Sequence, residues 1–136
     1  MNINNIKLID GLSLIEASAG TGKSFTLSHI VIRIIFEKNI NPENILLLSF
    51  TNNTCNELSL KIKERIDTFE NYITDKTNVV DITLRNWCDD FIKNNTNRDK
   101  IIKNIKNVKD NISYLSITTF HGLCKKIIDD YGIELS

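Results

Sequence analysis

The chain has a single proline among its 136 residues, so no stretch resembles a rigid linker between domains. Its three cysteines, Cys55, Cys88 and Cys124, are widely separated and odd in number. They have neither zinc-ligand spacing nor the makings of a disulfide framework; they read as three reduced thiols, with Cys55 and Cys124 on helices. Neither sign of charge is in excess, since 17 Lys and Arg balance 17 Asp and Glu. Net charge therefore argues for no partner, and only the local distribution can. No run of about 18 apolar residues occurs, which argues against a membrane span. The start, Met1-Asn2-Ile3-Asn4-Asn5, lacks the basic and long apolar regions of a secretory signal, so a cytoplasmic location is expected. The length suffices for one domain, and a 41% hydrophobic content is that of an ordinary globular protein.

What is present centres on Glu16-Ala17-Ser18-Ala19-Gly20-Thr21-Gly22-Lys23-Ser24-Phe25. Residues 12–17 alternate and then run apolar, like a short buried strand, and residues 25–36 are apolar with helical spacing. A glycine-bearing loop thus joins a strand to a helix, with a Lys-Ser pair at the junction. This is the arrangement of a phosphate-binding loop. Glycines let backbone N–H groups converge on a phosphate with no Cβ in the way. The helix N-terminus adds unpaired donors and a positive dipole end. In this reading Ala17, Ser18, Ala19, Gly20, Thr21 and Gly22 cradle the phosphates of a nucleotide such as ATP. Lys23 reaches the β- and γ-phosphates, and the Ser24 hydroxyl sits on Mg²⁺. One position departs from the pattern: Ala17 stands where the spacing asks for glycine, five residues before Gly22. The alternative is a strand-to-helix turn rich in small residues by chance.

Around the loop the pattern is α/β. A first strand is expected over 13–18 and a first helix over 24–38, where Leu27, Ile30, Val31, Ile34 and Ile35 recur at helical spacing. His29 lies inside that helix and reads as structural. Asn39 and Asn41-Pro42 end it. The apolar run Ile45-Leu46-Leu47-Leu48-Ser49-Phe50 is expected to be a strand covered on both faces. Strand, helix and strand make a βαβ unit, hence a parallel sheet with a right-handed crossover. Thr51-Asn52-Asn53-Thr54 ends the second strand and offers helix caps. Cys55, Leu58, Ile62, Ile66 and Phe69 predict an amphipathic helix over 54–69, with Lys61, Lys63 and Arg65 on its polar side. Within 70–112, helices are expected near 80–94 and 98–109. Lys100, Lys103, Lys106 and Lys109 step by three along the second, as a solvated face or as a contact surface for a phosphate backbone. Residues 114–120 return to strand character. Gly122 marks a bend, and Leu123, Cys124, Ile127, Ile128 and Tyr131 give a last helix with Gly132 as its C-cap.

Three stretches line up in order with the motifs of one family. Glu16-Ala17-Ser18-Ala19-Gly20-Thr21-Gly22-Lys23-Ser24 resembles motif I of superfamily 1 DNA helicases, in which alanine is a common substitute at the position of Ala17. Leu48-Ser49-Phe50-Thr51-Asn52-Asn53-Thr54, with the helix running to Lys61-Ile62-Lys63-Glu64-Arg65-Ile66, resembles motif Ia. Ile117-Thr118-Thr119-Phe120-His121-Gly122-Leu123-Cys124 resembles the later Thr-(Ile/Phe)-His-Gly-Phe-Cys motif. The opening is most similar to RecB-like members, of the exodeoxyribonuclease V beta-subunit type, with AddA and UvrD-type helicases as near neighbours.

The resemblance implies a P-loop NTPase (RecA-like) fold, here incomplete. Residues 1–136 would form part of the helicase ATP-binding domain 1A, a parallel sheet flanked by helices with a helical insertion at about 70–112. It implies ATP and Mg²⁺ as cofactors, and Lys23 as the catalytic group that stabilises the γ-phosphate in the transition state. It implies Phe50, Thr51, Asn52, Thr119 and His121 as contacts to single-stranded DNA. An aromatic at such a strand end can stack on a base without regard to sequence. Alternatively Phe50 and Phe120 pack in the core, and His121 is an ordinary helix-entry residue. The implied setting is ATP-driven translocation and duplex unwinding in recombinational DNA repair, with RecC- and RecD-like subunits as partners and no membrane.

A motor of this family also needs a strand ending in Asp-Glu, arginines from a second domain and, in RecB-like members, a nuclease. No apolar strand ending in Asp-Glu occurs; Asp89-Asp90 follows Trp87-Cys88, and Asp129-Asp130 lies within the last helix. The chain is therefore expected to be an N-terminal piece of a larger protein and inactive alone. Two other readings remain. A small P-loop kinase would need a lid with arginines, but Arg33, Arg65, Arg85 and Arg98 are scattered. A non-enzymatic P-loop DNA-binding module would keep the loop as a relic.

Overall fold

The computed structural model describes residues 23–49, 51–75, 79, 81–95 and 97–131. The strand expected over 13–18, loop residues 17–22, Phe50 and Gly132 lie outside the described residues, as do the side chains of Lys23, Ser24 and Tyr131. In chain order the elements are α1 (Lys23–Glu37), a 3-10 turn (Pro42–Asn44), β1 (Leu46–Ser49), α2 (Asn52–Asp75), α3 (Ile82–Asn94), α4 (Arg98–Asn111), a second 3-10 turn (Ile112–Tyr114), β2 (Ser116–Thr119) and α5 (Phe120–Tyr131). None of the described helices is long and apolar enough to cross a membrane.

The helical periods read from the sequence become the buried faces. Leu27, Val31, Ile32, Ile35 and Phe36 of α1 are buried against Leu58, Ile62, Ile66 and Phe69 of α2 in one continuous core. α1 stops just before Asn39, which takes a left-handed φ of 54°, a conformation asparagine tolerates better than most residues. α2 runs past its expected end because its apolar stripe continues to the buried Ile73. Within 70–112 the described residues are the end of α2, then α3 and α4. Asp81 caps α3 by accepting from the Leu84 N–H at 3.2 Å, and Asn97 caps α4 by accepting from the Lys100 N–H at 3.1 Å. Leu84, Trp87 and Cys88 of α3, and Ile101, Ile105 and Val108 of α4, join the same core. Burial pushes the Cys88 thiol up to about 12, aided by the Asp89 carboxylate, so it stays protonated. Of the four lysines stepping along α4, Lys109 is held by Asp67 and Glu70 of α2, at 3.1 and 3.0 Å.

Phe69 sits where three helices meet. It has no exposed surface, and its ring lies 5.2 Å from Phe36, 5.1 Å from Trp87 and 5.7 Å from Phe91, each close to edge-to-face. β1 and β2 pair in parallel, with Leu46 opposite Ser116 and Ser49 opposite Thr119. Parallel pairing requires a crossover, and α2, α3 and α4 all lie within it. The expectation that β1 is covered on both faces is corrected: Leu47 and Ser49 are buried, but Leu46 is 49% exposed. Among the described residues it borders a groove shared with Leu123 and Ile127 of α5.

A second correction concerns Arg65. It lies not on a polar face but at 7% exposure between α1, α2 and α3. Its Nη2 donates to Asp81 Oδ2 at 2.8 Å, and its Nη1 lies 3.4 Å from His29 Nδ1. A guanidinium has only donors, so Nδ1 accepts and the imidazole is neutral with its proton on Nε2. Nearby, Arg33 donates to both Glu37 oxygens, at 2.6 and 3.1 Å, and Trp87 Nε1 donates to Glu37 Oε2 at 2.8 Å. Burial pushes the Glu37 carboxyl up, but the hydrogen bonds from Arg33 and Trp87 outweigh it and hold it below the usual carboxylate range. His29 is fully buried, as a structural histidine should be. Burial first, then the Arg65 charge, lowers its pKa to about 4, while Asp81 and Glu37 oppose the shift.

Two predictions follow from this packing. Phe69→Ala removes a ring shared by three helices and should cost roughly 3–5 kcal/mol in denaturant unfolding. An effect below about 1 kcal/mol would contradict this account of the core. The second concerns acid. The unfolded chain protonates His29 near 6.5, and the folded chain refuses the proton until about 4. Stability is thus fully present above 6.5 and falls as pH drops toward 4, by at most about 3 kcal/mol. His29→Gln should flatten that part of the pH–stability curve; an unchanged slope would remove His29 as its cause.

Candidate functional site

Two turns of the same design stand side by side. β1 ends at Ser49 and α2 begins at Asn52, with Thr51 between them. Thr51 Oγ1 accepts from the Thr54 N–H at 3.2 Å and lies 2.8 Å from Thr54 Oγ1. The Cys55 N–H donates to Thr51 O at 3.2 Å. Thr51 is therefore the N-cap of α2. β2 ends at Thr119, and Thr119 Oγ1 accepts from the Gly122 N–H at 3.0 Å, which caps α5 in the same way. Because Ser49 faces Thr119 in a parallel register, both caps and both helix N-termini open at the same end of the sheet. That end carries unpaired backbone donors and the positive ends of two helix dipoles.

Among the described residues, the exposed side chains at this end include Thr51, Asn52 and Asn53 from the first turn, and Phe120 and His121 from the second. Four of the residues singled out for single-stranded DNA, Thr51, Asn52, Thr119 and His121, are thus brought together at one end of the sheet. Phe50 lies outside the described residues. The sequence left Phe120 open between core packing and function; the structure leaves it 62% exposed. Its polar neighbours Thr119 and His121 are the signal that favours the open position.

Gly122 is corrected as well. It is not a bend before the last helix but the third residue of α5. A Cβ there would lie 2.8 Å from Thr118 Oγ1 and 3.1 Å from Thr119 Oγ1. Glycine is needed because two threonine hydroxyls approach its backbone, one of them as the cap.

For the phosphate loop, Lys23 and Ser24 lie in α1 at the beginning of the described residues. Ala17, Ser18, Ala19, Gly20, Thr21 and Gly22 lie outside the described residues. A cleft of about 1020 Å³ among the described residues lies elsewhere. It is lined by Glu37, Asn39, Phe91, Asn94 and Asn107, at the opposite end of α1 from Lys23, roughly 20 Å along the helix. Neither described strand carries a carboxylate; Asp89 and Asp90 are exposed on α3, and Asp129 and Asp130 on α5. Among the described residues no cluster of His, Cys, Asp and Glu could hold a metal ion.

The UvrD/REP helicase N-terminal domain matches residues 2–136. RecBCD enzyme subunit RecB of Haemophilus influenzae is 33% identical, over 97% of this chain and 12% of its own length. RecB of Chlamydia pneumoniae is 32% identical, over 90% of this chain and 11% of its own. ATP-dependent DNA helicase PcrA of Staphylococcus aureus is 30% identical, over 73% of this chain and 13% of its own. The chain thus spans about an eighth of the length of these curated relatives. By a match that runs almost from end to end, the chain belongs to the UvrD/REP helicase N-terminal domain family.

Proposed function

We propose that this chain is the ATP- and single-strand-binding part of a RecB-like DNA helicase, within a RecA-like P-loop domain 1A. The observation that carries the reading is the pair of strand–threonine–helix turns in parallel register, in a chain that matches the helicase family over residues 2–136. A single strand of DNA offers phosphates for the two helix N-termini and bases for stacking. Asn52 and His121 supply polar contacts, Phe120 supplies an exposed ring, and Phe50 is placed by its motif in the same role. Thr51 and Thr119 act mainly as caps that hold the backbone donors in place.

The Gly20-Thr21-Gly22-Lys23-Ser24 spacing, with Lys23 and Ser24 helical in α1, supports the phosphate loop. Backbone N–H groups of residues 17–22 would hold the phosphates, and the Ser24 hydroxyl would hold Mg²⁺. The bound metal and triphosphate supply the hydrolysable bond and the charge that Lys23 offsets in the transition state. In the parent protein that hydrolysis would drive translocation and unwinding in recombinational DNA repair, in the cytoplasm. The RecBCD naming of the relatives supports RecC- and RecD-like subunits as partners. The similarity to PcrA supports a UvrD-type parent as the second reading.

The chain alone should hydrolyse ATP negligibly, with or without single-stranded DNA, because no described strand carries the carboxylate that would orient the water. A phosphate-release assay checks this, and robust DNA-stimulated turnover would contradict it. Phe120→Ala should weaken binding of a labelled oligothymidine by roughly 1–3 kcal/mol in fluorescence anisotropy, the scale of one stacked base. Unchanged affinity would take Phe120 out of the binding face.

A further inference from the structure

We propose that Arg65 is a positioning residue for the nucleotide site: it ties the first turn of α1, and so Lys23 and Ser24, to α2 and to the cap of α3. The proposal rests on the reading of residues 17–24 as a phosphate loop, and names a group outside the loop that holds it in place.

Each contact of the Arg65 guanidinium reaches a different part of that assembly. Its Cζ lies 4.1 Å from the centroid of the Phe25 ring, and Phe25 directly follows Ser24. Its Nη1 meets His29, one turn further along α1. Its Nη2 meets Asp81 Oδ2, while the other oxygen of Asp81 caps α3 at the Leu84 N–H. One planar fork thus stacks on the turn that carries Lys23 and bonds to the residue that starts α3. A lysine could not do both, because it has neither the plane nor the fork.

Packing alone gives no reason for an arginine at 7% exposure. An apolar side chain would fill the space without desolvating a charge, and buried ion pairs are often no more stable than such replacements. What the arginine adds is direction: it fixes where the Phe25 ring and the Asp81 carboxylate sit relative to each other. Arg65 also lies on the helix that begins at Asn52, roughly 20 Å from that residue along the axis. Any movement of the first turn of α1 when nucleotide binds therefore meets, through one side chain, the helix whose N-terminus forms part of the strand-end face.

The test is titration of the full chain with mant-ATP and Mg²⁺, beside hydrogen exchange at the Leu84 amide. The variants are Arg65→Met and the double variant Arg65→Met/Asp81→Asn. The second removes the carboxylate left unpaired by the first, while asparagine still caps α3. Both should lose roughly tenfold in mant-ATP affinity, the scale of one desolvated cation–π contact. Nucleotide should slow Leu84 exchange in the wild type and not in the variants. If the double variant binds mant-ATP as the wild type does, or nucleotide protects Leu84 equally in both, Arg65 only packs and the proposal fails. A wild-type chain that does not bind mant-ATP, or a Lys23→Ala variant that binds it undiminished, overturns the phosphate-loop reading and this proposal with it.

Discussion

The parallel pairing of Leu46–Ser49 with Ser116–Thr119 is the constraint on which the rest depends. Two strands that run the same way cannot be joined by a tight turn, so the chain must leave one end of the sheet and return to the other. The crossover contains all of α2, α3 and α4, and it encloses most of the core. The same pairing puts the carboxyl ends of both strands together. Each strand is followed at once by a threonine cap and a helix, so two helix N-termini face one way. In α/β sheets this is where ligands bind, and here it follows from the register.

Two kinds of interaction hold α3 to α1 and α2. Toward one end of α1, Phe36 packs with Phe69, Trp87 and Phe91, and Trp87 donates to Glu37. Toward the other, Arg65 links Phe25 and His29 to Asp81. The aromatic group is the stronger source of stability, since it removes large apolar surfaces from water without desolvating a charge. The charged group is the better source of orientation, because a forked donor accepts few geometries. α3 is therefore packed at one end and aligned at the other.

Much of this was legible in the residues themselves. The spacing of Leu27, Val31 and Ile35 gave the buried face of α1, and Thr51 stood where a cap was needed. What was misread has tertiary causes. Arg65 looked solvated because charged residues usually are; its partner Asp81 is sixteen positions away, and its burial depends on how α1 and the start of α3 pack around it. Gly122 looked like a break, because the approach of the Thr118 and Thr119 hydroxyls is invisible in a linear pattern. Leu46 looked buried because an apolar run does not say how closely α5 covers it. The candidate site was legible as three motifs, and the structure adds the register that brings two of them together.

The central claim is that the two capped strand ends act as one face for single-stranded DNA. Residue-resolved hydrogen exchange of the chain with and without an oligothymidine tests it most directly. The account predicts that protection appears together at residues 51–54 and 119–123, and not along the exposed lysines of α4. Protection confined to Lys100, Lys103 and Lys106, or present at one strand end without the other, would contradict it.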